Sequence, residues 1–324
     1  RAAAAGAEQM LLRGVTSVRD MGGPIFPLKA AIDAGQVRGP RIWPSGAHLS
    51  QTSGHGDLRA PHEGPRRFTG KLSRAEQLGA TWIADGRDDV LTATRENLRF
   101  GASQIKMMAG GGTSSDYDPL DVTQYTLDEL RAGVEAADDW NTYVTVHAYT
   151  PKAVRRAIEA GVKCIEHGQL LDEDTLRLMA ETGTWLSLQM LQEDSESMDP
   201  ARRAKRKPVI DAQQHIWGRA KAAGVKLAWG TDILFDPAGP DADVVIHPLV
   251  AQHLRKAFRR CDQRVTSAIQ LTQPGNHQRF EERQVIVTEI GFEPGVHRGE
   301  HGNLALDSPC NSCMTGRIGR GGVD

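Results

Sequence analysis

Short apolar runs rich in β-branched residues alternate with longer amphipathic stretches along the first two thirds of the chain. The short runs are typical of buried strands, and the amphipathic stretches are typical of helices that cover a sheet. We predict seven strands, over Val15–Arg19, Arg41–Pro44, Ser103–Met108, Tyr143–Ala148, Val162–Glu166, Trp185–Gln189 and Lys226–Trp229. The predicted helices are Pro27–Ala34, Asp88–Phe100, Leu127–Asp139, Pro151–Ala160, Asp172–Glu181 and residues 201–223, and a further helix, Ala2–Arg13, precedes the first strand.

Local signals mark where several of these helices begin and end. Thr126 followed by Glu129 predicts a capping box. Thr150 before Pro151 predicts an N-cap with proline in the first turn. The glycines that we expect at helix C-termini are Gly161, Gly183 and Gly224.

Strands that alternate with helices of ten or more residues predict βαβ units and a parallel sheet. An open doubly wound sheet usually has about five or six strands, whereas a closed (β/α)8 barrel has eight. The seven predicted strands follow a helix that has no strand before it. We therefore predict a TIM barrel that lacks its first strand, with barrel strands 2–8 inside residues 1–239.

The composition changes near Pro240. All six Trp and all four Tyr lie before residue 230, whereas three of the four Cys lie after residue 260, and the strand–helix alternation ends there. We expect residues 240–324 to be an anomalous tail, frame-shifted or disordered, in preference to an unusual additional domain.

Composition and charge exclude several classes of protein. The 39 Lys and Arg against 41 Asp and Glu give a net charge of −2, which argues against a basic nucleic-acid-binding surface and an acidic disordered chain. No run approaches the ~18 apolar residues of a membrane-spanning helix, and four Cys are too few for a disulfide scaffold. We expect an enzyme with a small-molecule substrate and no nucleic-acid or membrane partner. The location is left unknown, because any signal peptide would precede Arg1, and the cytoplasm is taken only as the default.

Four residues with ligand-type side chains lie at the predicted ends of four strands: Lys106, His147, His167 and Asp232. Each has an ordinary structural alternative, since a single His is often a satisfied core residue, an Asp often caps a helix and a Lys can extend its ammonium to solvent. Barrels place their chemistry at the carboxyl ends of strands. Four such residues at one rim together predict a metal site.

The segments around these residues resemble a known family. QIKMMAGGG, VHAYTP, IEHG and GTD, together with GVTSVRDMGG, GPRIWPSGAHLSQTSGHGD and TQYTLDEL, resemble the amidohydrolase superfamily of metal-dependent hydrolases. The resemblance is to the branch of imidazolonepropionase-like proteins, Xaa-Pro dipeptidases and ochratoxinase-type carboxypeptidases, and it covers roughly residues 8–237. In that family the first strand supplies a His-x-His pair, the fourth a lysine, the fifth and sixth one histidine each, and the eighth an aspartate. The printed sequence contains no His-x-His pair. The family also has a small β-sandwich domain, which we do not expect to be intact here.

The resemblance implies a mechanism. Lys106 would carry a carbamate that bridges two divalent ions, expected to be zinc, and His147 and His167 would bind the second ion. Asp232 would be a further metal ligand and would accept a proton from the metal-bridging hydroxide. The implied reaction is hydrolysis of the amide or peptide bond of an Xaa-Pro-like dipeptide or an N-acyl amino acid.

Three further residues are candidate substrate contacts. His55 lies in the glycine-flanked loop QTSGHGD, and Tyr125 follows the loop AGGGTSSDYD. The alternative is that both are ordinary loop residues. Tyr149 departs from the His-x-His found at this strand in dipeptidase relatives, so it bears on substrate identity.

The rival hypothesis is a truncated, catalytically inactive barrel that binds one metal or a small ligand. Metal content separates the two, because about two ions per chain favour the enzyme, whereas one or none favours the scaffold. A barrel that lacks one strand also exposes two parallel edges, which we expect to promote aggregation or a homo-oligomer.

Overall fold

A computed structural model of the chain describes residues 2–12, 14–189, 191 and 198–232. The domain boundary predicted at residue 239 and the anomalous tail predicted over residues 240–324 lie outside the described residues.

Strands and helices alternate through the described part of the chain. The strands are β1 Ser17–Asp20, β2 Arg41–Pro44, β3 His48–Ser50, β4 Thr81–Ile83, β5 Ile105–Met108, β6 Val144–Ala148, β7 Cys164–His167, β8 Trp185–Leu188 and β9 Lys226–Trp229. The helices are α1 Ala2–Leu12, α2 Phe26–Asp33, α3 Arg66–Thr69, α4 Arg74–Gln77, α5 Arg87–Arg99, α6 Leu127–Asp138, α7 Pro151–Ala160, α8 Glu173–Thr182 and α9 Pro200–Ala222.

Every strand ladder between these elements is parallel. Strands β1 and β2 form one pair, and a second sheet has the order β4-β3-β5-β6-β7-β8-β9. The two sheets meet where the Ser103 amide donates a hydrogen bond to the Pro44 carbonyl, 2.7 Å away, so that β2 lies beside the start of β5. Consecutive parallel strands place their carboxyl ends at one edge. The predicted parallel α/β fold of the barrel type is confirmed.

The seven predicted strands are present with ends that differ by up to two residues, but two short strands were missed. Gly46, with φ of +74°, interrupts the extended chain after β2, and the continuation forms β3. Strand β4 has three residues and is too short for a periodic pattern. Lys106 is the second residue of β5 and does not end it as predicted, because the strand runs on to Met108.

Side chains on the strands alternate between two environments, as the pleat of a strand requires. Ile105, Val146 and Ile165 are fully buried in the apolar core that the helices cover. The intervening residues are polar and meet on the inner face. There Thr145 Oγ1 donates a hydrogen bond of 2.7 Å to Glu166 Oε1. The inner face can therefore hold charged chemistry within an apolar shell.

The predicted helix ends are observed with one exception: Thr150 occupies the N-cap position of α7, but its side chain makes no capping hydrogen bond. The Thr126 hydroxyl accepts from the Glu129 amide and the Glu129 carboxylate accepts from the Thr126 amide, which completes the capping box at the start of α6. Gly161 and Gly183 end α7 and α8 in the left-handed conformation. None of the helices in the described part of the chain is both long and apolar enough to cross a membrane.

Candidate active site

The ladder through β5, β6 and β7 brings three of the predicted site residues to the inner face. Lys106 is in register with Thr145, and Ala148 is in register with His167. The imidazole rings of His147 and His167 have centroids 4.4 Å apart and planes inclined by 68°. Lys106, His147 and His167 are all buried. The three neighbouring strands bring a lysine and two histidines close together out of water, although register pairs His167 with Ala148 and not with His147.

His167 ends β7 in a conformation that is uncommon for a residue with a side chain. Its φ is +83°, and such backbone strain is found most often at functional sites. Its Nδ1 atom is buried and has no hydrogen-bond partner. Burial lowers the pKa of His167 to about 4, an effect that the nearby carboxylate of Asp232 opposes. His167 is therefore a neutral imidazole with an unused buried nitrogen, as a metal ligand requires.

His147 is held by a backbone carbonyl. Its Nε2 lies 3.0 Å from the carbonyl oxygen of Gly111. A carbonyl oxygen only accepts, so the proton lies on Nε2. Burial, with a contribution from the neighbouring His55, lowers the pKa of His147 well below its ordinary value, so Nδ1 keeps its lone pair. Histidines that bind metals commonly donate their other N–H to a carbonyl or a carboxylate in this way.

Lys106 is only 4% exposed, and burial lowers the pKa of its ammonium while the negative charges of Glu166 and Asp232 oppose that effect. Glu166 is paired with another cation, because its Oε1 lies 3.1 Å from Nη2 of Arg19. Burial would raise the pKa of Glu166, but the charges of Arg19 and Lys106 outweigh it and lower that pKa to about 2. Burial thus favours the neutral amine of Lys106, which is the form that reacts with CO2.

Asp232 follows β9, is exposed and has a φ of +50°. Its negative charge raises the pKa of both Lys106 and His167, so the carboxylate lies near enough to act on both groups from an exposed position.

Two of the predicted substrate contacts join this group. The ring of His55 stacks on that of His147, with centroids 4.0 Å apart. The ring of Tyr149 stacks on that of His167 at 5.0 Å, and its hydroxyl lies 3.5 Å from Thr113 Oγ1. Both side chains therefore border the predicted metal ligands.

Tyr125 is not brought to the site. Its side chain is part of the apolar core, and its hydroxyl is buried without a hydrogen-bond partner. Burial raises the pKa of Tyr125 well above its ordinary value, and the charges of Asp85, Glu129 and Asp89 add to this effect. Only the backbone of Tyr125 links neighbouring segments, since its carbonyl accepts a hydrogen bond of 2.7 Å from Arg156 Nη1.

Sequence reasoning missed other polar residues of the inner face and the adjoining loop. Arg19 and Glu166 were counted only as strand residues, although a charged residue inside an apolar strand could have indicated the buried pair. Asp118, which lies under His55, had no sequence signal because an aspartate in a loop is ordinary.

The donor set fits part of a divalent metal site. No group of three or more His, Cys, Asp or Glu side chains is arranged to hold a metal ion in the part of the chain that the structure describes. His147 and His167 supply two neutral imidazoles, and Lys106 becomes a third ligand only if its amine is converted to an anionic carbamate.

Comparisons with known proteins agree with this arrangement. The sequence pattern of the amidohydrolase family, whose members typically use divalent metal ions, matches residues 1–270. Ochratoxinase from Aspergillus niger is 35% identical over 251 residues, which are 74% of this chain and 52% of the relative.

Two solved structures are also similar. A prolidase complexed with N-methylphosphonate-L-proline is 37% identical with a TM-score of 0.68, over 77% of this chain and 63% of that one. The crystal structure of the A. niger ochratoxinase is 32% identical with a TM-score of 0.65, over 75% and 57%. The chain spans about half the length of the curated relatives that it matches. The match over residues 1–270 shows that this chain belongs to the amidohydrolase family.

Proposed function

We propose that the chain is the catalytic part of a metal-dependent hydrolase that cleaves the amide or peptide bond of a dipeptide, Xaa-Pro-like, or of an N-acyl amino acid. The observation that carries the proposal is the buried group formed by Lys106, His147 and His167 with His55 and Tyr149 beside it. Two imidazoles and a lysine side chain buried in one place cost stability unless they serve chemistry.

The named relatives support the substrate class. One is called ochratoxinase, and another is a prolidase complexed with a phosphonate derivative of proline. That derivative carries a phosphonate on the nitrogen of an amino acid. We therefore propose that this chain acts on the bond between an acyl group and the nitrogen of an amino acid.

Each residue of the group has a proposed role. Lys106, as a carbamate, would hold two divalent ions, for which we propose zinc, and His147 and His167 would hold one of them through Nδ1 of His147 and a ring nitrogen of His167. The ions would polarise the scissile carbonyl and lower the pKa of a water molecule. Asp232 would accept that water's proton and deliver it to the leaving amine. His55 and Tyr149, which border the imidazoles, would contact the substrate.

The alternative is an inactive scaffold that binds one metal ion or a small ligand. One observation favours it: within the described ranges, no group of three or more His, Cys, Asp or Glu side chains is arranged to hold a metal ion, and two metal sites need more ligands than that.

Hydrolysis assays test the proposal. The purified chain is expected to hydrolyse members of a panel of N-acyl amino acids and Xaa-Pro dipeptides, to lose activity with a chelator and to regain it with zinc. His147→Gln and His167→Gln are expected to remain inactive after zinc is added. The matched control is His215→Gln, on the exposed face of α9, which should match the unaltered chain. Chelator-insensitive hydrolysis would contradict the metal-dependent mechanism, and no hydrolysis by the zinc-loaded chain would favour the inactive scaffold.

A further inference from the structure

The loop between β5 and α6 contacts two histidines of the site, His147 and His55. It leaves β5 through a short antiparallel bridge between Gly110 and Thr123. The Gly111 carbonyl accepts the hydrogen bond from His147, and Ser115 Oγ lies 2.8 Å from His55 Nδ1. The position of this loop therefore determines the orientation of both imidazoles.

The buried carboxylate of Asp118 binds two other residues of the same loop, Gly112 and Gln124. Asp118 is 3% exposed, and its Oδ2 accepts hydrogen bonds from the Gly112 amide at 2.9 Å and from Gln124 Nε2 at 3.3 Å. The same oxygen lies 3.5 Å from His55 Nδ1. The Gly112 amide belongs to the peptide unit of the Gly111 carbonyl. Asp118 thus fixes the peptide whose oxygen holds His147.

The charge of Asp118 is compensated from α9. Lys205 Nζ lies 3.9 Å from Asp118 Oδ1 and donates a hydrogen bond of 2.6 Å to the Ser115 carbonyl. Burial would raise the pKa of Asp118, but its hydrogen bonds with His55 and Ser115 and the charge of Lys205 outweigh burial and lower it. The carboxylate is therefore ionised, with hydrogen bonds to its Oδ2 and the ammonium of Lys205 facing its Oδ1.

From these contacts we infer that Asp118 is a positioning residue: by fixing the peptide between Gly111 and Gly112, it holds the Gly111 carbonyl on His147 Nε2 and leaves His147 Nδ1 as the ligand nitrogen. Asp118 contacts neither substrate nor metal in this account, and it acts only through the loop. The loop itself supplies the matched control, because Asp116 is exposed and contacts Arg202 at 3.0 Å.

The substitution that tests the inference is Asp118→Asn, which preserves the side-chain volume. The side-chain amide of asparagine has one oxygen and one NH2 group, so it can place an acceptor toward Lys205 or toward the Gly112 amide, but not toward both. If its NH2 group takes the place of Oδ1, it faces the ammonium of Lys205, and if it takes the place of Oδ2, it faces the Gly112 amide. The first orientation keeps the hydrogen bond from the Gly112 amide but removes the negative charge that Lys205 faces, and the second sets two donors against each other, so in both the Gly112 peptide is held less firmly.

Two measurements on the full chain, the tautomer of His147 and the zinc affinity, test the inference. Nuclear magnetic resonance of the metal-free chain with isotope-labelled histidine reports the tautomer of His147, whose signal is assigned by its loss in His147→Gln. The unaltered chain and Asp116→Asn should show the Nε2–H tautomer alone, whereas Asp118→Asn should show a mixture. Zinc affinity, measured by competition with a chelator, should fall about 10- to 100-fold in Asp118→Asn and stay unchanged in Asp116→Asn. Lys205→Met leaves the hydrogen bonds of Asp118 in place, so it should change the His147 tautomer and the zinc affinity in the same direction as Asp118→Asn but by less. It replaces Asp118→Asn in the test if that variant does not fold.

The inference is overturned if Asp118→Asn and Lys205→Met keep the Nε2–H tautomer, or if Asp116→Asn changes the readouts as much as they do. The zinc measurement rests on the proposed function, but the tautomer measurement does not. If the unaltered chain binds no zinc, the proposed function fails, and the tautomer of the metal-free variants alone decides the role of Asp118.

Discussion

The imidazole of His55 lies almost parallel to that of His147, with centroids 4.0 Å apart and planes inclined by 16°. His55 comes from the loop after β3 and His147 from the end of β6, so the contact joins two distant parts of the chain. The His55 ring also lies against the backbone of Gly112, where a Cβ atom would lie 1.9 Å from Cε1. His55 is therefore packed against both His147 and Gly112.

A methyl group at position 112 should displace His55. Gly112→Ala places a Cβ inside the van der Waals radius of the imidazole, so the ring must leave its stacked position or the loop must move. We expect at least about a tenfold loss of hydrolysis, because misplacing a catalytic or binding group by ~1 Å commonly costs up to 10²-fold.

The control for this prediction is Gly218→Ala in α9, where no atom lies within 4 Å of the added Cβ. Alanine inside a helix should raise the free energy of unfolding by roughly 0.5–1 kcal/mol and leave hydrolysis unchanged. Equal activity of Gly112→Ala and Gly218→Ala would show that the packing of His55 against Gly112 has no role.

Lys106→Ala should remove metal binding more completely than the loss of a charge elsewhere at the same edge. The buried amine lies with His147 and His167, and its carbamate would bridge both ions, whereas the exposed Lys152 at the start of α7 provides the control Lys152→Ala. Lys106→Glu should restore part of the metal content, because a carboxylate resembles a carbamate. Elemental analysis after dialysis measures both. Full metal occupancy in Lys106→Ala would refute the carbamate assignment.

Asp232→Asn should keep the metal and lose turnover. An amide oxygen can still lie near an ion, but it cannot take a proton, and general acid–base catalysis contributes typically about 10²–10⁴-fold. The loss should appear mainly in kcat, since the substrate is held by other groups. If Asp232 only caps the following segment, asparagine is an equally good cap and the rate stays near normal. A fall in kcat smaller than about tenfold would remove Asp232 from the mechanism.

Asp20 makes stability depend on pH. Burial raises the pKa of this carboxyl from 3.8 to about 6. Between these values the folded chain retains a proton that the unfolded chain has lost, so folding stability falls as pH rises from about 4 to about 6. Asp20→Asn removes this titration. Relative to the unaltered chain, the variant should gain on the order of 1–3 kcal/mol in its free energy of unfolding at pH 7 and almost nothing at pH 4.

Urea unfolding at the two pH values measures this difference. The control is Asp33→Asn, because Asp33 is half exposed and pairs with Lys29 at the surface. A stability difference between Asp20→Asn and the unaltered chain that does not change with pH would contradict the buried state of Asp20.

Most of the fold could be predicted because its strands and helices have clear periods. The strands from β5 to β8 are mostly buried runs between amphipathic helices, and their pattern predicts a parallel sheet with ligand residues at one edge. Strands β3 and β4 could not be predicted, because each has three residues and their pairing depends on Gly46 turning the chain and on distant neighbours.

The candidate site was only partly predictable. Lys106, His147 and His167 lie on the neighbouring strands β5, β6 and β7, which brings them close together, and His55 was recognised from its motif. Tyr125 follows a loop that was expected to border the substrate. Its backbone is left-handed, with φ of +56°, and its side chain lies in the apolar core. That conformation is set by tertiary contacts and leaves no sequence signal.

The metal content of the purified chain tests the central claim most directly. The chain is saturated with zinc, dialysed and analysed by mass spectrometry of its elements, with the double variant His147→Gln/His167→Gln as the background. We expect about two divalent ions per unaltered chain and a large loss in the double variant. One ion or none in the unaltered chain, or equal metal content in the two proteins, would contradict a metal-dependent hydrolase centred on these histidines.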